Sequence, residues 1–266
     1  TFATDHWLYL FHSTPTDNRI VRIRYDNGAL DLASKQTLLA GIARNRFGDG
    51  GRLRWGPDGK LYAGTGDAQN GANAQNLNSL NGKILRLNPD GSVPSDNPIA
   101  GSYVWSYGHR NPQGLAFDSR GRLWSSEFGS SAMDELNLIT KGGNYGWPAC
   151  EGTNGSGCGT PGFIAPVRTF PVAQASPSGV AIVDDVIYMA ALRGQRLYRM
   201  VITGSTTAPP QQLFTGVYGR LRTVEPAPDG GLWLTTSNGD GHQGVPRSNR
   251  ILHVGLGGAP AGGPAL

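Results

Sequence analysis

The chain has 266 residues, of which 38% are hydrophobic and 16% charged, with 40 glycines and 18 prolines. That length allows a sizeable core, and abundant glycine with few charges suits a turn-rich all-β chain better than a helical one. No stretch approaches 18 apolar residues, so no membrane-spanning helix is expected; the net charge of +4 comes from scattered basic residues that lack the interleaved aromatics of a nucleic-acid surface. Thr1 opens in mid-pattern, so any export signal is expected to have been removed or left out.

In chain order, WLYLFHS (7–13) and RIVRIRY (19–25) read as two strands of one unit. LRWGPDGKLYAGTG (53–66) then runs apolar strand, Pro/Asp/Gly turn, second apolar strand, with KILRLN (83–88) as a third. The same grammar returns in LAFDSRGRLWSSEFG (115–129) with ELNLI (135–139), and in VAIVDDVIYMAAL (180–192) with RLYRMVI (196–202). It returns once more in VEPAPDGGLWLTTSNG (224–239) with RILHVGL (250–256). The DG, RG and DD turns are hairpin chemistry. Units of about 45 to 60 residues with about four strands each mark a β-propeller, whereas an ordinary sandwich has no reason to repeat one turn at one place. The expectation is about five blade-like units in one propeller domain over 1–256, with the Gly/Ala/Pro segment 257–266 as a flexible tail.

Propellers bind ligands where loops of several blades meet, which singles out Arg52, Asp67, YGHRNPQG (107–114) with Arg110 and Asn111, Arg193, Arg220 and Arg222. One such arginine alone reads as a surface or paired residue. Four (Arg110, Arg193, Arg220 and Arg222) from three units would repel one another without an anion, and their fork geometry matches carboxylates or phosphates. EFGSSAMDE (127–135) and KGGNYGWP (141–148) combine Glu127, Asp134 and Glu135 with glycine-rich backbone, a hard-oxygen set suited to Ca²⁺, although most acidic loops are merely solvated. In CEGTNGSGC, Cys150 and Cys158 read either as a disulfide, which favours an exported protein, or as two free thiols. With no third cysteine or nearby histidine, metal binding by this pair is not expected.

GGRLRWGPDGKLYAGTGD, NGKILRLNPDGSVPSDNP, YGHRNPQGLAFD and DELNLITKGGNYGWP resemble the soluble glucose/sorbosone dehydrogenase family, over residues 1 to about 256. The resemblance implies a pyrroloquinoline quinone (PQQ)-dependent aldose sugar dehydrogenase on a six-bladed propeller, of which this chain covers about five blades, the first being absent. It implies Arg110 beside the quinone with Asn111 as a polar contact, and Arg193, Arg220 and Arg222 on the cofactor. It implies a catalytic Ca²⁺ held by main-chain carbonyls around Gly129 and Ser130, and a structural calcium involving Glu135 and Tyr145. Asp67 corresponds to an acidic residue that orients the base. The family's base is a histidine three residues before Gly-Arg-Leu. In this chain those residues are Gly51, Arg52 and Leu53, so the position is Gly48, which cannot accept a proton. The side chain of Asp49 is expected to point elsewhere.

The resulting expectation is an exported, secreted or periplasmic protein that oxidises aldoses at C1 by hydride transfer to PQQ and passes electrons to an acceptor, with turnover impaired at Gly48. Gly48 fits a deliberate His→Gly change, a natural member with altered function, or a site turned to other chemistry. Two alternatives stand beside the enzyme. One is a non-catalytic propeller that binds an anionic or sugar ligand. The other is a calcium-dependent hydrolase of the lactonase type, whose side-chain cage 127–135 does not clearly supply. Phe170 and ASPSG (175–179) are candidates for the sugar side or for a hydrophobic rim, and His6, His12, His109, His242 and His253 read as structural or exposed.

Overall fold

The computed structural model describes residues 2–239 and 249–257. His242 and residues 258–266, most of the expected tail, lie outside the described residues. The described chain is all-β, with five antiparallel sheets in blade order and two four-residue helices, α1 (Phe2–Asp5) and α2 (Ala72–Gln75). It divides into two compact units, Thr1–Gln113 with Ile139–Ala165, and Gly114–Leu138 with Pro166–Leu266.

The first unit holds the first two sheets. One is β1 (Trp7–Ser13), β2 (Asn18–Asp26) and β3 (Ala29–Ile42). The other is β4 (Gly50–Trp55), β5 (Leu61–Thr65), β6 (Lys83–Leu87) and β7 (Val104–Tyr107). Ile20, Ile42, Leu61, Ala63, Leu85, Leu87 and Val104 interlock between them as one buried cluster. That packing of alternate strand residues is the main apolar burial holding the unit together.

The remaining sheets belong mostly to the second unit. The third is β8 (Pro112–Phe117), β9 (Leu123–Glu127), β10 (Met133–Ile139) and β11 (Arg168–Pro171). The fourth is β12 (Pro177–Val183), β13 (Val186–Ala191), β14 (Arg196–Thr203), β15 (Thr206–Thr207) and β16 (Gln211–Leu213). The fifth is β17 (Leu221–Pro226), β18 (Leu232–Thr236) and β19 (Ile251–Val254). Two clusters, one around Trp124, Leu136, Phe170 and Met189, the other around Leu197, Leu221, Val224 and Leu234, form its core.

The repeated turns form as their sequences require. In GPDG, Gly56 N donates to Lys60 O (2.9 Å) and Gly59 takes the left-handed φ of +69° that closes the hairpin. Asp184 and Asp185, the two-residue DD turn, both have positive φ (+49° and +55°), as a mirror-type hairpin turn needs. Three first strands also start with the same irregularity: register shifts fall at Gly50/Leu53 in β4, Pro177/Val180 in β12 and Leu221/Thr223 in β17. Bulges of this kind re-aim the residues just before a strand. Those are the residues the sequence singles out.

Candidate functional site

Strands β4, β8, β12 and β17 begin at Gly50, Pro112, Pro177 and Leu221, and two residues earlier stand Gly48, Arg110, Ala175 and Gly219. Strands β5, β9, β13 and β18 end at Thr65, Glu127, Ala191 and Thr236, and two residues later stand Asp67, Gly129, Arg193 and Asn238. Consecutive antiparallel strands bring the start of the first and the end of the second to one edge of a sheet. Gly48, Asp67, Arg110, Gly129 and Arg193 therefore occupy corresponding corners of their sheets. Arg220 and Arg222 flank the first residue of β17.

In the first unit the corner at Gly48 is closely built. Gly48 has φ +77°, and its carbonyl accepts from Ala68 N (2.9 Å). A Cβ at Gly48 would stand 3.1 Å from Asp67 Oδ1. Asp67 is 4% exposed and every polar atom is engaged: Oδ1 accepts from Gln69 N (2.8 Å), Oδ2 from Trp147 Nε1 (2.9 Å), and its own N–H donates to Arg110 O (2.8 Å). The Arg110 guanidinium lies 5.8 Å from the Trp147 ring centroid. Asn111 is buried, and its Oδ1 accepts from Gly50 N (3.0 Å) and Gln113 Nε2 (3.1 Å). Gly66 has no room for a side chain, because a Cβ there would collide with Gly48 O. Asp49 points away as expected: its Oδ1 accepts from Asn18 Nδ2 (3.1 Å) and Asn45 N (2.9 Å).

In the second unit, Asp134 braces the loop after β9 against the start of β12. Its Oδ1 accepts from Gly129 N (2.9 Å) and its Oδ2 from Ser176 N (2.7 Å). Ser176 O then accepts from Leu192 N (3.0 Å) and Ala175 O from Gly194 N (3.0 Å), which bracket the exposed Arg193. Gly179 of β12 packs against the backbone of Arg222–Val224, so β12 and β17 start side by side. Gly129, Ser130, Arg193, Arg220 and Arg222 thus share one edge of this unit, three cations with a glycine-rich loop. Arg220 and Arg222 are half-buried. Asn238 fixes the arginine backbone, its Oδ1 accepting from Arg220 N (2.8 Å) and its Nδ2 donating to Tyr218 O (2.8 Å).

The residues proposed for metal divide between the two units. Among the described residues no group of three or more His, Cys, Asp or Glu could hold an ion. A main-chain site at Gly129 and Ser130 is compatible with the glycine-rich loop. Glu135 is buried and its Oε2 accepts from Asn137 Nδ2 (2.9 Å), while Asn137 Oδ1 is buried without a hydrogen-bond partner. An orphaned amide oxygen beside a buried carboxylate suits a hard cation such as Ca²⁺. Tyr145 sits in the first unit, its OH accepting from Thr140 N (2.8 Å) and its ring stacked 4.6 Å from that of His109. His109 is fully buried and its Nε2 pairs with Ser106 Oγ (2.8 Å), so it is a structural histidine.

One expectation is corrected. Phe170 lies in the core, 5% exposed with its ring centroid 4.9 Å from that of Tyr198, and does not line an open sugar side. Three residues escape the sequence reading, namely Trp147, Asn137 and Asn238. Trp147 stands within a motif that carries resemblance, but its tie to Asp67 spans 80 positions and has no local signal. The cysteines do form the disulfide Cys150–Cys158.

A family model for glucose/sorbosone dehydrogenases matches residues 1–247. Quinoprotein glucose dehydrogenase B of Acinetobacter calcoaceticus is 42% identical over 160 residues, 52% of this chain and 34% of that protein. The aldose sugar dehydrogenase of Escherichia coli K12 is 35% identical over 74% of this chain and 58% of its own length. The chain thus spans between about a third and three fifths of these two curated relatives. The solved PQQ-bound aldose sugar dehydrogenase of Streptomyces coelicolor superposes with a TM-score of 0.89 at 46% identity, over 95% of this chain and 76% of that one.

Proposed function

Because the chain belongs to the glucose/sorbosone dehydrogenase family, we propose that it is a PQQ- and Ca²⁺-binding aldose dehydrogenase site whose base position is vacated at Gly48. When bound, PQQ supplies a two-electron acceptor for hydride and Ca²⁺ a Lewis acid. Arg110, Arg193, Arg220 and Arg222 would neutralise the cofactor's carboxylates, with Asn111 as a polar contact. The carbonyls of Gly129 and Ser130 would take the catalytic ion. Glu135 and Asn137 would take a structural one, with Tyr145 as the further contact that the family implies. Oxidation at C1 removes a hydride from carbon and a proton from the C1 hydroxyl, leaving a lactone, and the electrons pass on to an acceptor.

The observation that carries this reading is the Gly48 corner. A side chain at position 48 would emerge against Asp67 Oδ1 (3.1 Å from the Cβ), where an acid can hold and orient a base. With glycine there, nothing at position 48 receives the sugar's proton. Asp49 is turned to Asn18 and Asn45 and does not replace it. A second reading, a binding propeller that holds the cofactor or a sugar without turnover, is favoured by that same absence. An aldose as substrate, export to an oxidising compartment and an external electron acceptor belong to this proposal. The disulfide supports the second of them.

Reconstitution with PQQ and Ca²⁺, followed by aldose-dependent dye reduction for wild type and Gly48→His, tests the proposal. Cofactor binding by both and sugar turnover by Gly48→His alone is the expected result. Turnover by wild type at the rate of the variant would move the base elsewhere, and failure of both to bind PQQ would sink the dehydrogenase reading.

A further inference from the structure

Lys83, the first residue of β6, is fully buried in the first unit. Its Nζ donates to three main-chain carbonyls: Asn73 O (2.7 Å), Ala74 O (3.1 Å) and Asn81 O (2.8 Å). Three donated hydrogen bonds use all three protons of an ammonium group. Burying such a charge is costly unless the surrounding dipoles satisfy it, and here the backbone does so, with no acidic partner among the described residues. Burial nevertheless draws Lys83 down to about 7.

The residues whose carbonyls it gathers also make the hydrogen bonds that tie down the Gly48 corner. Asn73 Nδ2 donates to Asp67 O (2.9 Å), and Asn70 N, one step earlier in the same turn, donates to Asp67 O (3.1 Å). Ala74 O also accepts from Gly108 N (3.0 Å), the glycine that opens the GHRN segment bearing Arg110 and Asn111. Asn81 Nδ2 donates to Gly66 O (3.0 Å), beside Asp67, and His109 N donates to Gly82 O (3.1 Å). One cation therefore ties together the segment after β5 and the segment before β8. An alkyl chain in its place would take a donor from each of the three carbonyls in a dry interior, leaving Asn73 O with Asn76 N (3.2 Å) and Ala74 O with Gly108 N (3.0 Å).

We propose that Lys83 is a positioning residue, an internal cation that holds the loop 66–82 so that Asp67 stands beside position 48 and under the Trp147 indole. This assignment takes the role of Asp67 from the dehydrogenase reading, but the placement itself is read without cofactor or sugar. The test is the ¹⁵N–¹H indole resonance of Trp147 in the cofactor-free protein, identified by its loss in Trp147→Phe. Its N–H donates to Asp67 Oδ2, so its shift and its exchange with solvent report where Asp67 stands.

In Lys83→Met the Trp147 resonance is expected to shift and its exchange to quicken by about tenfold or more, with Trp233 in the other unit unchanged. Asn73→Ala, which cuts the link to Asp67 and keeps the ammonium, is expected to shift the same resonance in the same direction. It also carries the test should Lys83→Met fail to fold. A lowered melting temperature with an unmoved Trp147 resonance in the folded variants would make Lys83 merely structural and overturn the proposal. Absence of PQQ binding by the wild type would instead count against the dehydrogenase reading and leave this readout intact.

Discussion

At the Gly48 corner a left-handed glycine (φ +77°) faces the carboxylate of Asp67; at the Gly219 corner a left-handed glycine (φ +75°) faces the amide of Asn238. Both partners stand two residues past the second strand of their sheet. The contents differ. A Cβ at Gly219 would overlap Asn238 Oδ1, which is spent on Arg220 N, whereas a Cβ at Gly48 would press on Asp67 Oδ1 at 3.1 Å, a tight contact that a small shift relieves. Glycine at 219 is demanded by sterics as well as by its backbone angle. At 48 the backbone angle asks for it and sterics ask less. The missing side chain at 48 is therefore a chemical absence as well as a preference of the backbone.

The largest effect that separates the two corners is catalytic. Gly48→His should raise aldose-dependent dye reduction by about 10²–10⁴-fold over wild type in the reconstituted protein, the usual worth of a general base. Gly219→His should give no gain and should disturb the arginine edge. Equal rates for wild type and Gly48→His would show that the two corners do not differ in the way the carboxylate suggests.

Stability separates them next. Gly219→Ala should cost about 2–3 kcal/mol, left-handed strain plus overlap with Asn238, and Gly48→Ala about 1–2 kcal/mol, left-handed strain with a lesser contact on Asp67. Urea midpoints at constant slope would measure both. Equal costs would mean that Asn238 yields, and the steric argument for Gly219 would fall.

Exchanging the polar partners probes the hydrogen bonds themselves. In Asp67→Asn an amide N–H₂ must face either Trp147 Nε1–H or Gln69 N–H, both donors. In Asn238→Asp a carboxylate oxygen must face Tyr218 O, an acceptor. Each mismatch should cost about 1–2 kcal/mol. A neutral Asp67→Asn would indicate that the carboxylate is not held as the distances imply.

How much of this could be read beforehand depends on the range of the interactions. The hairpins around GPDG and DD were legible because turn chemistry is local, and the GHRN arginine because its motif is contiguous. Strand β3 (Ala29–Ile42) was not, since most of its residues are exposed and show no alternation, and it exists because β2 offers an edge. Phe170 is read in the sequence as a residue of the sugar side or of a hydrophobic rim, and neither reading shows that it is buried with Trp124, Leu136 and Tyr198. The pairing of Asp67 with Trp147 and the carbonyl cage of Lys83 arise only when distant segments meet. In the sequence, Lys83 reads as the ordinary charged start of KILRL.

The smallest effect, in pH, tests that last contrast, because no buried lysine braces the Gly219 corner among the described residues. Burial lowers Lys83 from 10.5 to about 7 in the folded protein. Between those values the unfolded lysine binds more proton than the folded one, so the Lys83 contribution to stability should rise with pH above about 7, by at most about 1.4 kcal/mol per unit. Tyr62, Tyr103 and Tyr198, all pushed above their usual range chiefly by burial, keep their protons in the folded chain while the unfolded chain loses them near 10.0. They therefore oppose the rise as pH approaches 10, and the slope is read below that. Working against the rise, a neutral amine has one donor fewer than the ammonium to share among the three carbonyls. Urea midpoints between pH 7 and 9.5 should therefore climb in the wild type and lose that component in Lys83→Met. A wild-type slope no steeper than the variant's would mean that the three carbonyls outweigh burial and keep Lys83 charged throughout. The Gly48 corner would then rest on a permanent cation and not on a titrating one.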